Sequence, residues 1–594
     1  MDRKSIIIIV VCFALIILWP KLMQTWYPPQ PAPAVDQLSG ATNQAALAKP
    51  PGIVPADPAS KPAPAIATDA PEELLSVTNH NAVYTFSSHG GGLKLVELKD
   101  HKEAIECGRN IPGERRPATL NTRAPAPVLA VLGGETIQGN NGFALSRTES
   151  SVRAEKDLDN GLRIIKEFEI GTNYLLKARV SLENRSRGPL TLPQQEVVLG
   201  TSTPIGTYDT GMDMGVFWYN GSKAEHIDSG WFANRTLGCF PGTPRTEYVT
   251  PQINSTNVQW AAVHNQFFTI AAVPNDPVPK MVSRQVELKN TDELLKLNPS
   301  AVTNGFQTAL VYPETVLQEG VAVERQFTIY AGPKEYNTLA RLGAQFNNNL
   351  DAVMNFGGFF GWFAQALLLF MNWLHSLGLT YGLAIIATTV VIKLVFWPLT
   401  QASTKSMKRM QALQPQMKSI QEKYKDDPKK MNMKLMEFMR EHKVSPLGGC
   451  LPLLLQIPIF FGFYQMLRSA IELRGESFLW ACDLSQADTV AFIGGFPVNP
   501  LPLIMGVTML WQARLTPVSP GVDPVQQKMM KYMPLMFIFI LYNMQAGLTL
   551  YWTVQNLLTI LQMKLTKTSD DAGASAPASV KKTPTSSPSA KKKK

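Results

Sequence analysis

The chain has 594 residues, enough for several domains, and carries 56 Lys and Arg against 46 Asp and Glu, a formal charge of +10. A near-neutral mean hydropathy of −0.03 hides two unlike halves: residues 27–335 are mixed and polar, and 357–565 is mostly apolar with a basic insert. The basic excess lies beside hydrophobic spans and in the tail, which argues against DNA as a partner and fits the positive bias of cytosolic loops.

In chain order, Asp2-Arg3-Lys4 precede an apolar run from Ser5 to Trp19. A basic start before a short apolar stretch is also the form of a cleaved signal. No small-residue cleavage site follows the run directly, and Ala32-Pro33-Ala34 comes late and carries proline. Residues 1–27 therefore read as an uncleaved anchor with Trp26 and Tyr27 at the outer interface. Residues 28–71, rich in Pro and Ala without apolar periodicity, read as a tether that cannot bury a core.

From 72 to 335 short alternating stretches are broken by Gly, Asn and Pro. Leu176, Ala178, Val180 and Leu182 alternate with Lys177, Arg179, Ser181 and Glu183, the two-residue period of a half-buried strand. Val321, Val323, Phe327 and Ile329 repeat the pattern, and Gly171-Thr172-Asn173 reads as a hairpin turn. The expected class is a large exported β-sandwich. His80, His89, His101, His226 and His264 show no spacing that marks a site, and no metal is expected. Among Cys12, Cys107, Cys239, Cys450 and Cys482 no pair has the close spacing of a zinc or redox motif and no disulfide framework is implied; a Cys107–Cys239 pair is left open, with two free thiols there the default.

Residues 336–377 read as an interfacial region, because Phe359, Phe360, Trp362, Phe363, Phe370 and Trp373 mix with Gln365, Asn372 and His375. A second span covers 378–398, and four further apolar runs fall at about 447–467, 500–514, 532–543 and 547–565 within the segment 447–565. With the anchor this makes a polytopic α-helical membrane protein of six transmembrane helices. Those of about 15 residues are short for a core that takes about 20. The basic residues of 399–446, Arg514, Lys528, Lys531, Lys564 and Lys567 agree with both termini in the cytosol and residues 28–358 outside.

Within the insert 399–446, Met410, Leu413, Met417, Ile420 and Tyr424 recur at spacings of three and four, and Met431, Leu435 and Phe438 continue the stripe. Asp427 before Pro428 forms a helix start, and Pro415 interrupts the first arm. A cytosolic helical hairpin follows, with Met433 and Met436 off the seam as candidates for client contact. The tail 566–594, ending in four lysines, is expected to be disordered; anionic lipid, ribosomal RNA or no partner all fit its charge.

Lys393 stands in an apolar span, where an ionised lysine costs about 2.5–3.5 kcal/mol. One turn from Trp397, it could snorkel to the interface, so the pattern alone leaves its role open. Thr389, Gln456, Thr549, Trp552 and Asn556 are further polar groups in the spans. Aimed at one centre they would make a wet groove. Nothing resembles a catalytic set, and no cofactor is expected.

At Pro446-Leu447-Gly448-Gly449-Cys450-Leu451-Pro452 and on through Leu455-Gln456-Ile457-Pro458-Ile459-Phe460 to Tyr464, the sequence resembles the YidC/Oxa/Alb insertase superfamily. Leu413-Gln414-Pro415, the turn Lys423 to Pro428, Pro502 to Gly506 with Met509, Asp523-Pro524 with Gln526-Gln527-Lys528, and His89-Gly90-Gly91-Gly92-Leu93 extend the likeness. The large exported domain points to the Gram-negative YidC form. The resemblance implies insertion and folding of nascent membrane proteins, alone or with the Sec translocon, and possible ribosome contact through the hairpin and tail. It also implies a hydrophilic groove whose cation, Lys393, draws a client's acidic tail inward while its apolar segment slides along Ile457, Phe460 and Phe461. Two departures stand out: many relatives carry arginine at the position of Lys393, and two tyrosines where this chain has Tyr551-Trp552. A membrane-anchored sugar-binding or sugar-processing protein is the alternative reading, and a small-molecule transporter a third.

Overall fold

A computed structural model of the chain describes residues 66, 70–105, 116–139, 142–207, 209–234, 242–251, 257–356, 360–442, 451–516 and 524–566. The expected N-terminal anchor, nearly all of the Pro/Ala tether, Pro446 to Cys450, Asp523 and the basic tail lie outside them. Two compact units are present, Met1–Asn355 with Ser469–Glu472, and Phe356–Arg468 with Leu473–Lys594.

The first unit is built on antiparallel sheets. The largest has nine strands, in the order Ala224–Asp228, Gly215–Tyr219, Trp260–His264, Phe268–Pro274, Ala322–Pro333, Leu175–Asn184, Leu162–Ile170, Ser151–Asp157 and Ala144–Arg147. A five-stranded sheet runs Glu247–Val249, Lys280–Glu287, Asn304–Tyr312, Gln195–Ser202, Val131–Leu132. One core takes Val216, Trp218, Ile270 and Ile329 from the larger sheet and Val197, Leu199 and Leu310 from the smaller, the sandwich-like arrangement the alternation predicts. Leu176, Ala178, Val180 and Leu182 are all buried and pair with Ile329, Phe327, Arg325 and Val323. The turn at Gly171 closes by its N–H to the Leu175 carbonyl at 2.9 Å, and Asn173 and Tyr174 both take positive φ. That region is unfavourable for tyrosine, and the Tyr174 ring is held by contact with Gly332 and edge-on with Tyr330.

The glycines of His89-Gly90-Gly91-Gly92 have a steric cause. Gly90 and Gly91 take φ of 80° and 55°, and a Cβ on Gly92 would lie 2.1 Å from the Val128 carbonyl oxygen. The Gly90 carbonyl also accepts from the fully buried Lys166 Nζ at 2.6 Å, as does the Leu129 carbonyl at 2.7 Å. No acid neutralises this amine among the described residues. Burial, with Lys156 nearby, lowers its pKa to about 7.

The second unit is helical: α1 Gly361–Ser376, α2 Tyr381–Val395, α3 Trp397–Ala412, α4 Gln414–Lys423, α5 Pro428–Glu441, α6 Leu451–Ser469, α7 Pro500–Leu515, α8 Pro524–Leu541 and α9 Ala546–Leu565. The six-span expectation meets a difference here. Among the described residues no single helix is long and apolar enough to cross a membrane. The pair Tyr381–Val395 and Trp397–Met410, bent by 61°, meets that measure together. The cause is geometric: a helix of 15 residues rises only about 22 Å at 1.5 Å per residue, short of a hydrocarbon core of about 30 Å. In α9 the polar residues Gln555, Asn556 and Gln562 dilute the hydropathy.

Pro415 falls at the start of α4, so the first arm does restart there, and the Asp427 side chain accepts from the Lys430 N–H at 3.1 Å to cap α5. Met410, Met417 and Leu435 are buried against Ile420, Met431 and Phe438. Cys482, in the loop after α6, is disulfide-bonded, a bond that cysteine spacing did not announce; the other four cysteines, and with them the Cys107–Cys239 question, lie outside the described residues.

Candidate functional site

Lys393 occupies the last turn of α2, where the unpaired carbonyls of a helix C-terminus favour a cation. It is 5 % exposed, and its Nζ donates to Thr559 Oγ1 of α9 at 2.9 Å. The Thr559 hydroxyl in turn donates a hydrogen bond to the Gln555 carbonyl at 2.7 Å. No Asp or Glu pairs with Lys393 among the described residues. A neutral hydroxyl can orient an ammonium but cannot neutralise it.

One turn along α9, Gln555 Nε2 donates to Gln456 Oε1 of α6 at 3.0 Å, and Gln456 Nε2 donates to the Tyr551 hydroxyl. Tyr551 is buried and stacked on Phe463 at 4.1 Å. Tyr551, Gln555 and Thr559 repeat every four residues and so share one face of α9. Gln562 extends the line by donating to Thr400 Oγ1 at 2.8 Å and to the Trp397 carbonyl at 3.3 Å. A polar seam thus joins α9 to α2, α3 and α6.

The residues singled out in the sequence divide. Lys393 and Gln456 lie on the seam. Thr389 and Thr549 do not join it: their hydroxyls donate within their own helices, to the Ile385 carbonyl at 2.7 Å and the Ala546 carbonyl at 3.0 Å. Trp552 packs edge-on against Phe460 at 4.9 Å and beside Phe537 at 5.6 Å. Asn556 turns to α7 and donates to Thr508 Oγ1 at 3.1 Å. These six residues therefore do not share one hydrogen-bonded centre: the seam takes Lys393 and Gln456, and Asn556 bonds instead to Thr508. Gln555, Thr559 and Gln562 were not singled out from sequence, and Tyr551 only as the neighbour of Trp552. Their spacing of four, four and three is as periodic as that of Thr549, Trp552 and Asn556, and only the rotation of α9 in the packed unit decides between the two.

Among the residues expected to touch a client, Met433 and Met436 are exposed on α5, opposite the seam of the hairpin. Ile457 and Phe461 are exposed on α6, with Phe461 stacked on Phe360 at 5.8 Å and Phe460 half-buried beside Trp552. Close approach of the helices relies on small residues. A Cβ on Gly462 would meet Phe363 of α1 at 2.4 Å, and one on Gly506 would meet Ile538 of α8 at 2.2 Å.

The loop 473–499 fastens the ends of α7 and α8. Asp488 Oδ2 accepts from the Leu501 N–H, near the start of α7, at 2.6 Å and from Trp480 Nε1 at 2.9 Å. Asn499 Nδ2 donates to the Tyr542 carbonyl at 2.8 Å, just past the end of α8. Asp483 is buried and accepts from Ser485 and Gly475. Burial pushes its carboxyl above the usual range, against the pull of those donors.

Known proteins match along nearly the whole chain. The family described as YidC periplasmic domain matches residues 74–370, and the family described as 60Kd inner membrane protein matches 373–572. A membrane protein insertase YidC of Syntrophus aciditrophicus (strain SB) is 30% identical over 585 residues, covering 95% of this chain and 98% of that one. The corresponding protein of Geotalea daltonii is 32% identical over 499 residues, covering 81% and 84%. A solved structure, an active YidC insertase with its first transmembrane domain resolved, aligns over 85% of this chain and 94% of its own at 20% identity. Its TM-score is 0.33.

Proposed function

The chain belongs to the YidC family of inner membrane protein insertases, and on that premise we propose that Lys393 is the cation that draws the acidic or polar tail of a client into the membrane. The observation that carries this reading is the partner Lys393 has: a threonine hydroxyl at 2.9 Å, with no carboxylate among the described residues. A buried ammonium that is oriented but not neutralised attracts an incoming carboxylate, and the attraction strengthens as the local dielectric falls.

In this mechanism the seam of Tyr551, Gln555, Thr559 and Gln456 supplies exchangeable donors and acceptors for a polar segment. The apolar segment then leaves past Ile457, Phe460 and Phe461. No bond is made or broken, so the work is solvation of a segment partway across. Thr389, Thr549, Trp552 and Asn556 act as packing and rigidity around the seam. Met433 and Met436, exposed and flexible, receive apolar clients at the cytosolic hairpin.

The topology proposed is six spans with both termini in the cytosol and residues 28–358 outside, α1 lying in the interface. Short helices such as α2 and α7 then require a thinned bilayer or bent neighbours. Contact with the Sec translocon, and with the ribosome through the hairpin and the basic tail, belongs to the same proposal. Site-specific photocrosslinking from position 393 to a stalled nascent chain tests it. Adducts with the client's polar tail are expected, and a probe at 393 that meets only lipid or neighbouring helices overturns the reading.

A further inference from the structure

Between α6 and α7 the chain forms a short hairpin, Ala491–Ile493 paired with Phe496–Val498, with Ile493 opposite Phe496. Gly494 and Gly495 make the turn at φ of 58° and 83°, the two left-handed positions of a tight hairpin. Its stem is held: the Tyr542 hydroxyl donates to the Pro497 carbonyl at 2.6 Å, the Phe496 ring lies 5.2 Å from that of Tyr542, and Asp488 binds the start of α7. Its tip is not covered. Ile493 is 72 % and Phe496 60 % exposed, and nearby Leu479 is 73 % exposed at a φ of 54°.

Such an apolar tip in water is disfavoured in proportion to the apolar area it exposes, and a non-glycine residue in the left-handed region adds to the cost. Trp480 points its indole N–H inward to Asp488 and leaves its ring partly exposed, the arrangement of an aromatic residue at a membrane interface. No Asp, Glu, Lys or Arg stands between Asp488 and Arg514. The apolar tip is therefore continuous in sequence with α7, whose Val507 is exposed, and is tied to the end of α8, whose Ile540 is exposed.

We propose that this hairpin is an interfacial anchor that dips its Ile493–Phe496 tip into the outer leaflet of the bilayer. Three residues per strand reach about 10 Å, the depth at which interfacial segments bury their apolar side. The anchor sets the depth at which α7 and α8 begin and end. It rests on the reading that α7 and α8 lie within the membrane.

The test places a genetically encoded environment-sensitive fluorophore at position 493, or at Phe539 of α8, in the full chain in phosphatidylethanolamine–phosphatidylglycerol vesicles. Spin-labelled lipids with the nitroxide shallow or deep, and aqueous iodide, serve as quenchers. At 493 the shallow nitroxide is expected to quench at least about twofold more than the deep one, with little quenching by iodide; at 539, close to the outer end of α8, quenching by lipid is expected from either nitroxide and little from iodide. Iodide quenching at 493 with lipid quenching at 539 overturns the anchor and leaves the spans standing. Quenching by lipid at neither position overturns both. A probe at 493 shielded from iodide and lipid alike overturns the anchor in favour of a protein partner, a second copy or a client.

Discussion

Lys393 of α2 and Thr559 of α9 meet at 2.9 Å, amine to hydroxyl, and this contact orients the buried amine with no carboxylate paired to it among the described residues. On the proposed reading Lys393 is a cation awaiting a client; a structural salt bridge would instead have satisfied the charge in place.

Removing the charge is the direct consequence to examine. Lys393→Ala is expected to lower insertion of a client with an acidic tail at least about fivefold, from an attraction of about 1 kcal/mol or more. A client with a neutral tail changes little, and Lys393→Arg keeps most of the activity because the charge remains. Protease protection of a reconstituted client measures this. Equal insertion of the acidic client by wild type and the Ala variant removes the charge from the mechanism.

Thr559 and Asn556 separate the two faces of α9. Thr559→Val deletes the hydrogen bond to Lys393, a charge-assisted contact worth about 1.5–3 kcal/mol, and is expected to impair the acidic client selectively. Asn556→Leu breaks only the bond to Thr508, so it is expected to lower the melting temperature in detergent while leaving the preference between clients intact. The reverse pattern would move the functional seam to the Asn556 face.

Why the sequence reading and the packed structure favour different faces of α9 has a physical answer. Alternation alone made the strand Leu175–Asn184 readable, because a two-residue period assigns each side chain to a face without ambiguity. The hairpin of α4 and α5 was equally readable, since Met417 and Leu435 have only each other's stripe to bury against. Helix α9 is apolar on most sides, so two sets of polar residues at helical spacing compete. Their choice depends on contacts from α2, α6 and α7 that are distant in sequence. Lys393 and Gln456 stood out because each is an isolated polar group in an apolar run. Thr559 and Gln555 were hidden among other polar residues of the same helix.

Asp488 joins Trp480 to the start of α7, and removal of its carboxylate leaves both donors without that acceptor. Asp488→Ala is expected to destabilise by about 1–2 kcal/mol, the range for loss of a helix-capping acid, and Asp488→Asn by less. Limited proteolysis between 480 and 499 in vesicles measures it. Cleavage unchanged from wild type in the Ala variant would show that the loop is held elsewhere.

The buried Lys166 makes a statement about pH. Its pKa is lowered from 10.5 to about 7 in the folded protein, so between those values the unfolded chain binds more protons than the folded one. Unfolding free energy therefore rises with pH across about 7 to 10.5, by at most about 1.4 kcal/mol per unit from this group. Below pH 7 both states are protonated, the slope vanishes, and the burial penalty of the charge is carried in full. A neutral amine still has two N–H donors, one for each of the Gly90 and Leu129 carbonyls, so deprotonation leaves the geometry satisfied. Lys166→Met is expected to lower stability at pH 10, where two carbonyls lose their donor, and to flatten the rise between pH 7 and 10. Denaturant unfolding of the full chain in detergent, followed by the fluorescence of the buried Trp218 and Trp260, gives the difference between wild type and variant at each pH. A difference that stays constant from pH 7 to 10 would mean that Lys166 keeps its proton in the core.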